Sequence, residues 1–193
     1  MGTVRTSASA AWYADTQHRI AIDEGEKLSR YRDSKGIWTL GIGYNLERGD
    51  AGTVLRACGI DYAAVMADRP ITTAQAATLF VACFSPIVSE ARASLPAGIF
   101  DSLSDARRFV VCDLNYNLGA AGWLDFSTSR SLLAEAQAAK SAGRSDAAHT
   151  LFGVCAAHLA ASAWAAQTGD RARRNVAMIT SGEYVDPAGN GTS

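Results

Sequence analysis

Asp23-Glu24-Gly25, then Tyr31-Arg32-Asp33, then Ile37-Trp38-Thr39-Leu40-Gly41-Ile42-Gly43 sets the architecture of the first part of this chain. Glu24, Asp33 and Thr39 stand nine and six residues apart, with glycines at the joints between them. Residues 10–24 read as a helix, and Gly25 fits the glycine that ends one. Arg30-Tyr31-Arg32, Ile37-Trp38-Thr39-Leu40 and Tyr44-Asn45-Leu46 read as short strands, parted by turns at Ser34-Lys35-Gly36 and Gly41-Ile42-Gly43. Glu24 is therefore expected where a rigid helix hands over to a hairpin, Asp33 at the hairpin turn and Thr39 in mid-strand. Taken singly, each has a plain explanation: a solvated carboxylate, a turn former and a β-favouring residue. Trp38 and Ile42 are expected on the opposite face of the strand from Thr39 or packed nearby, as core of a small lobe. Taken together, a Glu and an Asp facing each other across a cleft are the parts that glycosidic hydrolysis requires.

The remainder of the chain reads as helix. Thr72-Thr73-Ala74-Gln75 is a capping box that opens a helix near Thr73, and Pro86 is expected to end or kink it. Ser102 or Ser104 caps the next helix, with Leu103, Val110, Val111, Leu114 and Leu118 inside and Gly119 at its end. Further helices are expected at roughly 127–142, 145–164 and 168–180, with breaks at Gly143-Arg144 and Gly169-Asp170. Residues 1–9 are small and polar and are expected to fray. The last residues, 185–193, carry no apolar period and read as a flexible tail. The fold class is α+β, mainly α, in one domain over 1–193. A small β-containing lobe with the N-terminal helix occupies about 15–70, and a helical lobe about 71–184.

Composition narrows the function. The chain has 193 residues, 48% of them hydrophobic, which suffices for a core without staples. A formal net charge of −1 with no basic block argues against nucleic acid or an anionic membrane as partner. Cys58, Cys83, Cys112 and Cys155 form no CxxC pair, and with His18, His149 and His158 they make no zinc spacing. Two disulfides remain open; small buried thiols are the plainer reading. No stretch is expected to reach the ~18 apolar residues of a membrane span. The first ten residues lack the apolar segment of a signal peptide, and the Met1-Gly2…Thr6 match to a myristoylation pattern is read as chance.

The order Glu, Asp, Thr-x-Gly-x-Gly resembles the phage-type lysozymes, glycoside hydrolase family 24, which include phage endolysins. Asp23-Glu24-Gly25 and Tyr31-Arg32-Asp33-x-x-Gly36-x-Trp38-Thr39-Leu40-Gly41-Ile42-Gly43 match that family's signature. The resemblance extends over about residues 15–184. Asp101-Ser102-Leu103 with Ala106-Arg107-Arg108 looks like the start of the family's central helix. Asn115-Tyr116-Asn117-Leu118-Gly119 and Phe126 look like the segment that closes the cleft. Trp164, Gln167-Thr168, Arg171 and Arg174 look like the C-terminal region whose tryptophan and arginine lie behind the catalytic Glu. Tyr44 stands where a His often follows the family's Gly-x-Gly, residues 46–70 match poorly, and Gly153–Ser162 looks like extra material.

The resemblance implies a two-lobed lysozyme-like fold and a muramidase cutting the β-1,4 link between N-acetylmuramic acid and N-acetylglucosamine. Glu24 would be the general acid, and Asp33 with Thr39 would direct a water to the opposite face, an inverting hydrolysis. Asn45, Tyr116, Asn117 and Ser129 would bind substrate, with Trp164 and Arg171 in support. Arg171, as a nearby cation, would oppose retention of the acid's proton. No metal or organic cofactor is implied. The protein is expected to be a monomer without a membrane anchor, made in the host cytoplasm without a signal peptide. It would act on peptidoglycan in host-cell lysis after a holin or another route releases it. Two alternatives stand beside this: a lytic transglycosylase, which uses one Glu, and a non-catalytic glycan-binding protein of the same fold. The presence of both Asp33 and Thr39 argues against the first, and the intact triple of Glu24, Asp33 and Thr39 against the second.

Overall fold

The computed structural model describes residues 9–33 and 36–185. Of the frayed start expected over 1–9 and the tail expected over 185–193, residues 1–8 and 186–193 lie outside those described, as do Ser34 and Lys35 of the first turn; Ser9 is ordered as a helix cap. The architecture is α+β, mainly α, as in a lysozyme-like fold. In chain order it runs α1 (Ala10–Glu24), β1 (Lys27–Arg32), β2 (Trp38–Gly41), β3 (Tyr44–Asn45), α2 (Ala51–Ala57), α3 (Tyr62–Met66) and α4 (Thr73–Ala93). Then follow α5 (Ile99–Ser102), α6 (Asp105–Leu124), α7 (Ser127–Ser141), α8 (Ser145–Ala160), α9 (Ala163–Thr168) and α10 (Asp170–Ser181). The chain divides into two compact units, Ser9–Pro86 and the residues from Ile87 on.

In the first unit, Ser9 is the N-cap of α1, its hydroxyl accepting the Trp12 N–H. The three strands form an antiparallel sheet in the order β1-β2-β3. Its register sets Tyr31 opposite Thr39, Arg32 opposite Trp38, and Thr39 opposite Asn45. Side chains directly opposite one another share a face, so Tyr31, Thr39 and Asn45 form a row across all three strands. Trp38 points to the other face, as its place next to Thr39 requires. There the guanidinium groups of Arg30 and Arg32 each stand 4.1 Å from its ring centroid, a double cation–π contact. Arg30 is fixed in turn by two hydrogen bonds to the Asp68 carboxylate.

Residues 46–70, where the sequence pattern is irregular, fold as α2 and α3. They contribute Leu46, Leu55, Ile60 and Val65 to one apolar cluster with Leu40, Ile71 and Leu79. The capping box at Thr72 is reciprocal: the Gln75 N–H donates to Thr72 Oγ1 and the Thr72 N–H to Gln75 Oε1. Phe80 and Phe84 stack with centroids 4.9 Å apart, and Trp12 of α1 lies 6.5 Å from Phe84.

Helix α4 does not end at Pro86 but runs on to Ala93. A proline removes only its own donor to the carbonyl four residues back, and the remaining ladder carries the helix onward. The division between the two units falls at this same residue. By length and hydropathy α4 is also long and apolar enough to cross a membrane, contrary to the expectation that no stretch reaches that mark. Its apolar residues include a buried stripe, Ala76, Leu79, Phe80, Phe84, Val88 and Ala91, spaced as a core-facing helix requires.

In the second unit, α7 packs on α8, α8 on α10, and α10 on α6 and α9. Ser104 is the N-cap of α6, its hydroxyl accepting the Arg107 N–H. From Ala106 to Asn115 every residue of α6 is buried, the signature of a central helix. Gly119, expected at the end of this helix, has φ 74° and ψ 162°, a break that only glycine takes readily; the chain resumes helical form to Leu124. Residues 153–160, expected as extra material, lie within α8, and the helix expected to reach 164 stops at Ala160 before α9 begins.

The end of α10 is closed by a long side chain from α6. Arg107, 3% exposed, donates from Nε to the Ile179 carbonyl at 2.8 Å and from Nη2 to that of Thr180 at 3.0 Å. Its guanidinium lies 3.5 Å from the Phe152 ring centroid. Burial lowers the Arg107 pKa, while the carbonyl dipoles at the helix end favour the cation. Gly182, at φ 78°, leaves room for this group: a Cβ there would lie 2.7 Å from Arg107 Nη1. Gly182→Ala should therefore destabilise the protein by about 1–3 kcal/mol through left-handed strain and displacement of Arg107. Thermal denaturation should show a melting temperature lower by several degrees; an unchanged curve would refute this account of the α10 terminus.

Candidate active site

Glu24 is the last residue of α1 and is exposed. Gly25 follows with φ 78°, and its N–H bonds to the Ala21 carbonyl, which fixes the point at which the helix releases the chain towards β1. The expected position of Glu24 at a rigid helix end is thus the observed one.

Asp33 closes the β1–β2 hairpin. Its N–H donates to the Ile37 carbonyl at 3.0 Å, and its Oδ1 accepts the Ile37 N–H at 2.8 Å. Its own carbonyl takes the Gly36 N–H at 3.0 Å. The turn-forming role expected of an Asp is filled, and one carboxylate oxygen carries it. Thr39 is 3% exposed, and its hydroxyl donates to the Ile37 carbonyl at 3.0 Å. With that proton committed, Oγ1 offers lone pairs and acts as an acceptor. Asn45, half-buried at the far end of the row, accepts the Glu47 N–H on Oδ1 at 2.7 Å, which leaves its amide NH₂ as a donor.

The residue that ties these groups together is Tyr31. Alternation along the chain puts its side chain on the face to which Asp33, two residues on, returns. The register puts it opposite Thr39. Burial first, and then the negative charges of Asp33 and Glu24, raise the Tyr31 pKa, against the opposing pull of the Gly43 main-chain N–H. One phenol thus senses both carboxylates. The Lys27 ammonium covers the same ring, 4.4 Å from its centroid. Tyr44, in the place of a common family His, is buried, and burial is the main cause that pushes its phenol up to about 12. It stays neutral over the physiological range.

The remaining expected residues lie in the helical unit. Trp164 is buried in α9 and donates its indole N–H to Asn117 Oδ1 at 2.9 Å, so Asn117 holds the tryptophan in place. Tyr116 is half-buried on α6. Ser129 departs from the expected substrate contact. It has no exposed surface, its hydroxyl meets His158 Nδ1 at 2.8 Å, and its carbonyl takes the Cys155 thiol. A hydroxyl sealed inside the helical core is a packing element rather than a sugar ligand.

Arg171 belongs to a buried ion pair that the sequence reading missed. Its Nη2 donates to Asp113 Oδ1 at 2.7 Å and its Nε to Oδ2 at 3.1 Å, while Asn175 donates to the same Oδ2 at 2.7 Å. Asp113 has no exposed surface and Arg171 is 7% exposed. The guanidinium is therefore matched by a full negative charge within its own unit. The sequence does carry a signal for this, a lone acid inside the apolar run of α6, but its partner lies 58 positions away.

Among the described residues no three His, Cys, Asp or Glu side chains gather as a metal site, and the four cysteines are free. Burial pushes the thiols up, Cys83 to about 11 and Cys155 to about 12, so they remain protonated.

The family model for phage lysozyme matches residues 21–151. Two curated relatives from Dictyostelium discoideum, described as probable T4-type lysozymes 1 and 2, are 26% and 24% identical over 171 residues. Those alignments cover 84% of this chain and 92% of each relative.

The buried pair generates a stability prediction. Asp113→Ala should cost about 3–5 kcal/mol, because it strands a buried cation, whereas the double change Asp113→Leu with Arg171→Met should cost much less. Denaturant midpoints of the two variants measure this. Equal losses would mean that packing volume, and not charge compensation, governs the site.

Proposed function

Because this chain belongs to the phage lysozyme family, and is thereby a lysozyme-type glycoside hydrolase acting on peptidoglycan, we propose that it cleaves the β-1,4 bond between N-acetylmuramic acid and N-acetylglucosamine with inversion. The observation that carries this reading is the hairpin register, which sets Tyr31 opposite Thr39 and two residues before Asp33, in the strand that follows the helix end bearing Glu24.

Glu24 gives its proton to the glycosidic oxygen as the bond to the anomeric carbon breaks. Charge develops at that carbon in an oxocarbenium-like transition state. Asp33 starts as the carboxylate, stabilises the developing cation from the opposite face and becomes neutral as it takes one proton from the attacking water. Thr39 Oγ1, its own proton held by the Ile37 carbonyl, accepts the second water proton and fixes the water's direction. An inverting enzyme keeps its two carboxyl groups about 6.5–9.5 Å apart, which leaves room for that water. Asn45 and Tyr116 are assigned to sugar binding, and Asn117 contributes through Trp164.

In its biological setting the enzyme is read as a phage endolysin. It is made in the host cytoplasm, works as a monomer and reaches peptidoglycan once a holin opens the membrane. The lytic transglycosylase and binding-protein alternatives give Asp33 and Thr39 no part in chemistry beyond their structural hydrogen bonds.

Glu24→Gln should lower lysis of outer-membrane-stripped cells by about 10²–10⁴-fold, because only the transferable proton is lost. The melting curve should not move, since Glu24 is exposed. Activity within a few-fold of wild type would remove Glu24 as the acid.

Delivery is tested by expression in a Gram-negative host without any partner. Growth should continue, and a co-expressed holin or added chloroform should trigger rapid lysis. Spontaneous, Glu24-dependent lysis would contradict the holin route.

A further inference from the structure

We propose that the Tyr31 hydroxyl is a further catalytic group, donating a hydrogen bond to the water that Asp33 and Thr39 hold for attack. The inference rests on the inverting reading of Asp33 and Thr39 given above.

It follows from the hydrogen-bonding capacity of that water. A water molecule has two protons and two lone pairs. Asp33 takes one proton and Thr39 Oγ1 the other. One lone pair must face the anomeric carbon, so the last needs a donor to fix the rotation of the water about its other contacts. Thr39 cannot supply it, because its proton is committed to the Ile37 carbonyl. Asn45 lies across Thr39 on β3, on the far side of the row from β1 and Asp33. Tyr31 lies on the near side, opposite Thr39 and two residues before Asp33.

The Tyr31 hydroxyl is prepared for this task. The Gly43 main-chain N–H pulls on the phenol as a nearby donor does. Within this unit the charged groups that face Tyr31 are the Asp33 and Glu24 carboxylates and, over the ring, the Lys27 ammonium. Burial and the two carboxylates keep the phenol protonated at neutral pH, so it acts as a donor. During the reaction Tyr31 gives up no proton. Glu24 protonates the leaving oxygen, the water oxygen bonds to the anomeric carbon as the glycosidic bond breaks, and the water proton passes to Asp33.

The test is Tyr31→Phe, which keeps the ring under Lys27 and removes only the oxygen. On purified peptidoglycan, followed by release of reducing ends, kcat should fall about tenfold, the effect of one lost hydrogen bond. KM should change less than about twofold, and the melting temperature should fall by no more than the few degrees that loss of the Gly43 N–H partner brings. Thr39→Val, which also acts on the water, should couple with it, so that the double variant is slowed by less than the product of the single effects. A kcat for Tyr31→Phe within about twofold of wild type, or fully multiplicative losses in the cycle, would overturn the proposal. Asp33→Asn separates the two claims. If it is inactive while Tyr31→Phe is unaffected, Tyr31 alone loses its role; if it keeps wild-type activity, the inverting reading and the Tyr31 proposal both fall.

Discussion

The two hydrogen bonds that Asp33 exchanges with Ile37 are the constraint on which the site depends. The Asp33 N–H to the Ile37 carbonyl and the Ile37 N–H to Asp33 Oδ1 close the hairpin on a single register. That register sets Tyr31 opposite Thr39 and, through β2, Thr39 opposite Asn45. A slip of one residue would send Thr39 to the face now held by Trp38 and would break the row. The face of Trp38 is pinned independently by Arg30 and Arg32, so both faces of β2 oppose slippage. The same carboxylate that locks the hairpin is the one assigned to direct water. Its rigidity is thus a by-product of folding, which suits a group that must be in place before substrate arrives.

In the helical unit the comparable constraint is electrostatic. A carboxylate with no exposed surface sits inside α6 and is met by Arg171 and Asn175 from α10. Buried pairs of this kind add little net stability but are costly to break, so they fix orientation more than they strengthen the fold. The neighbouring contact of Arg107 with the end of α10 works in the same sense, tying the two helices at a second level.

Much of this was legible in the sequence because the signals are local. Gly25 ends α1 where a helix-terminating glycine predicts, Ser104 caps α6, and the Thr72–Gln75 box opens α4; each is decided by residues within one turn. Of the two outcomes expected at Pro86, an end to the helix did not occur, because the apolar stripe continues on both sides of it and the helix runs through. Asp113 and Ser129 were missed or misplaced for the opposite reason. Their roles depend on Arg171 and His158, far away in the chain, and no spacing announces such partners. Tyr31 was visible as a motif residue, but its task emerges only when the register sets it against Thr39.

The central claim is that Asp33 and Thr39 direct a water, and not a carboxylate oxygen, to the anomeric carbon. The configuration of the first product reports this directly. Proton NMR of the new reducing end, recorded during hydrolysis and before mutarotation, should show the α-anomer released from the β-1,4 linkage. Initial release of the β-anomer would mean two successive displacements through a covalent intermediate, and would contradict the account.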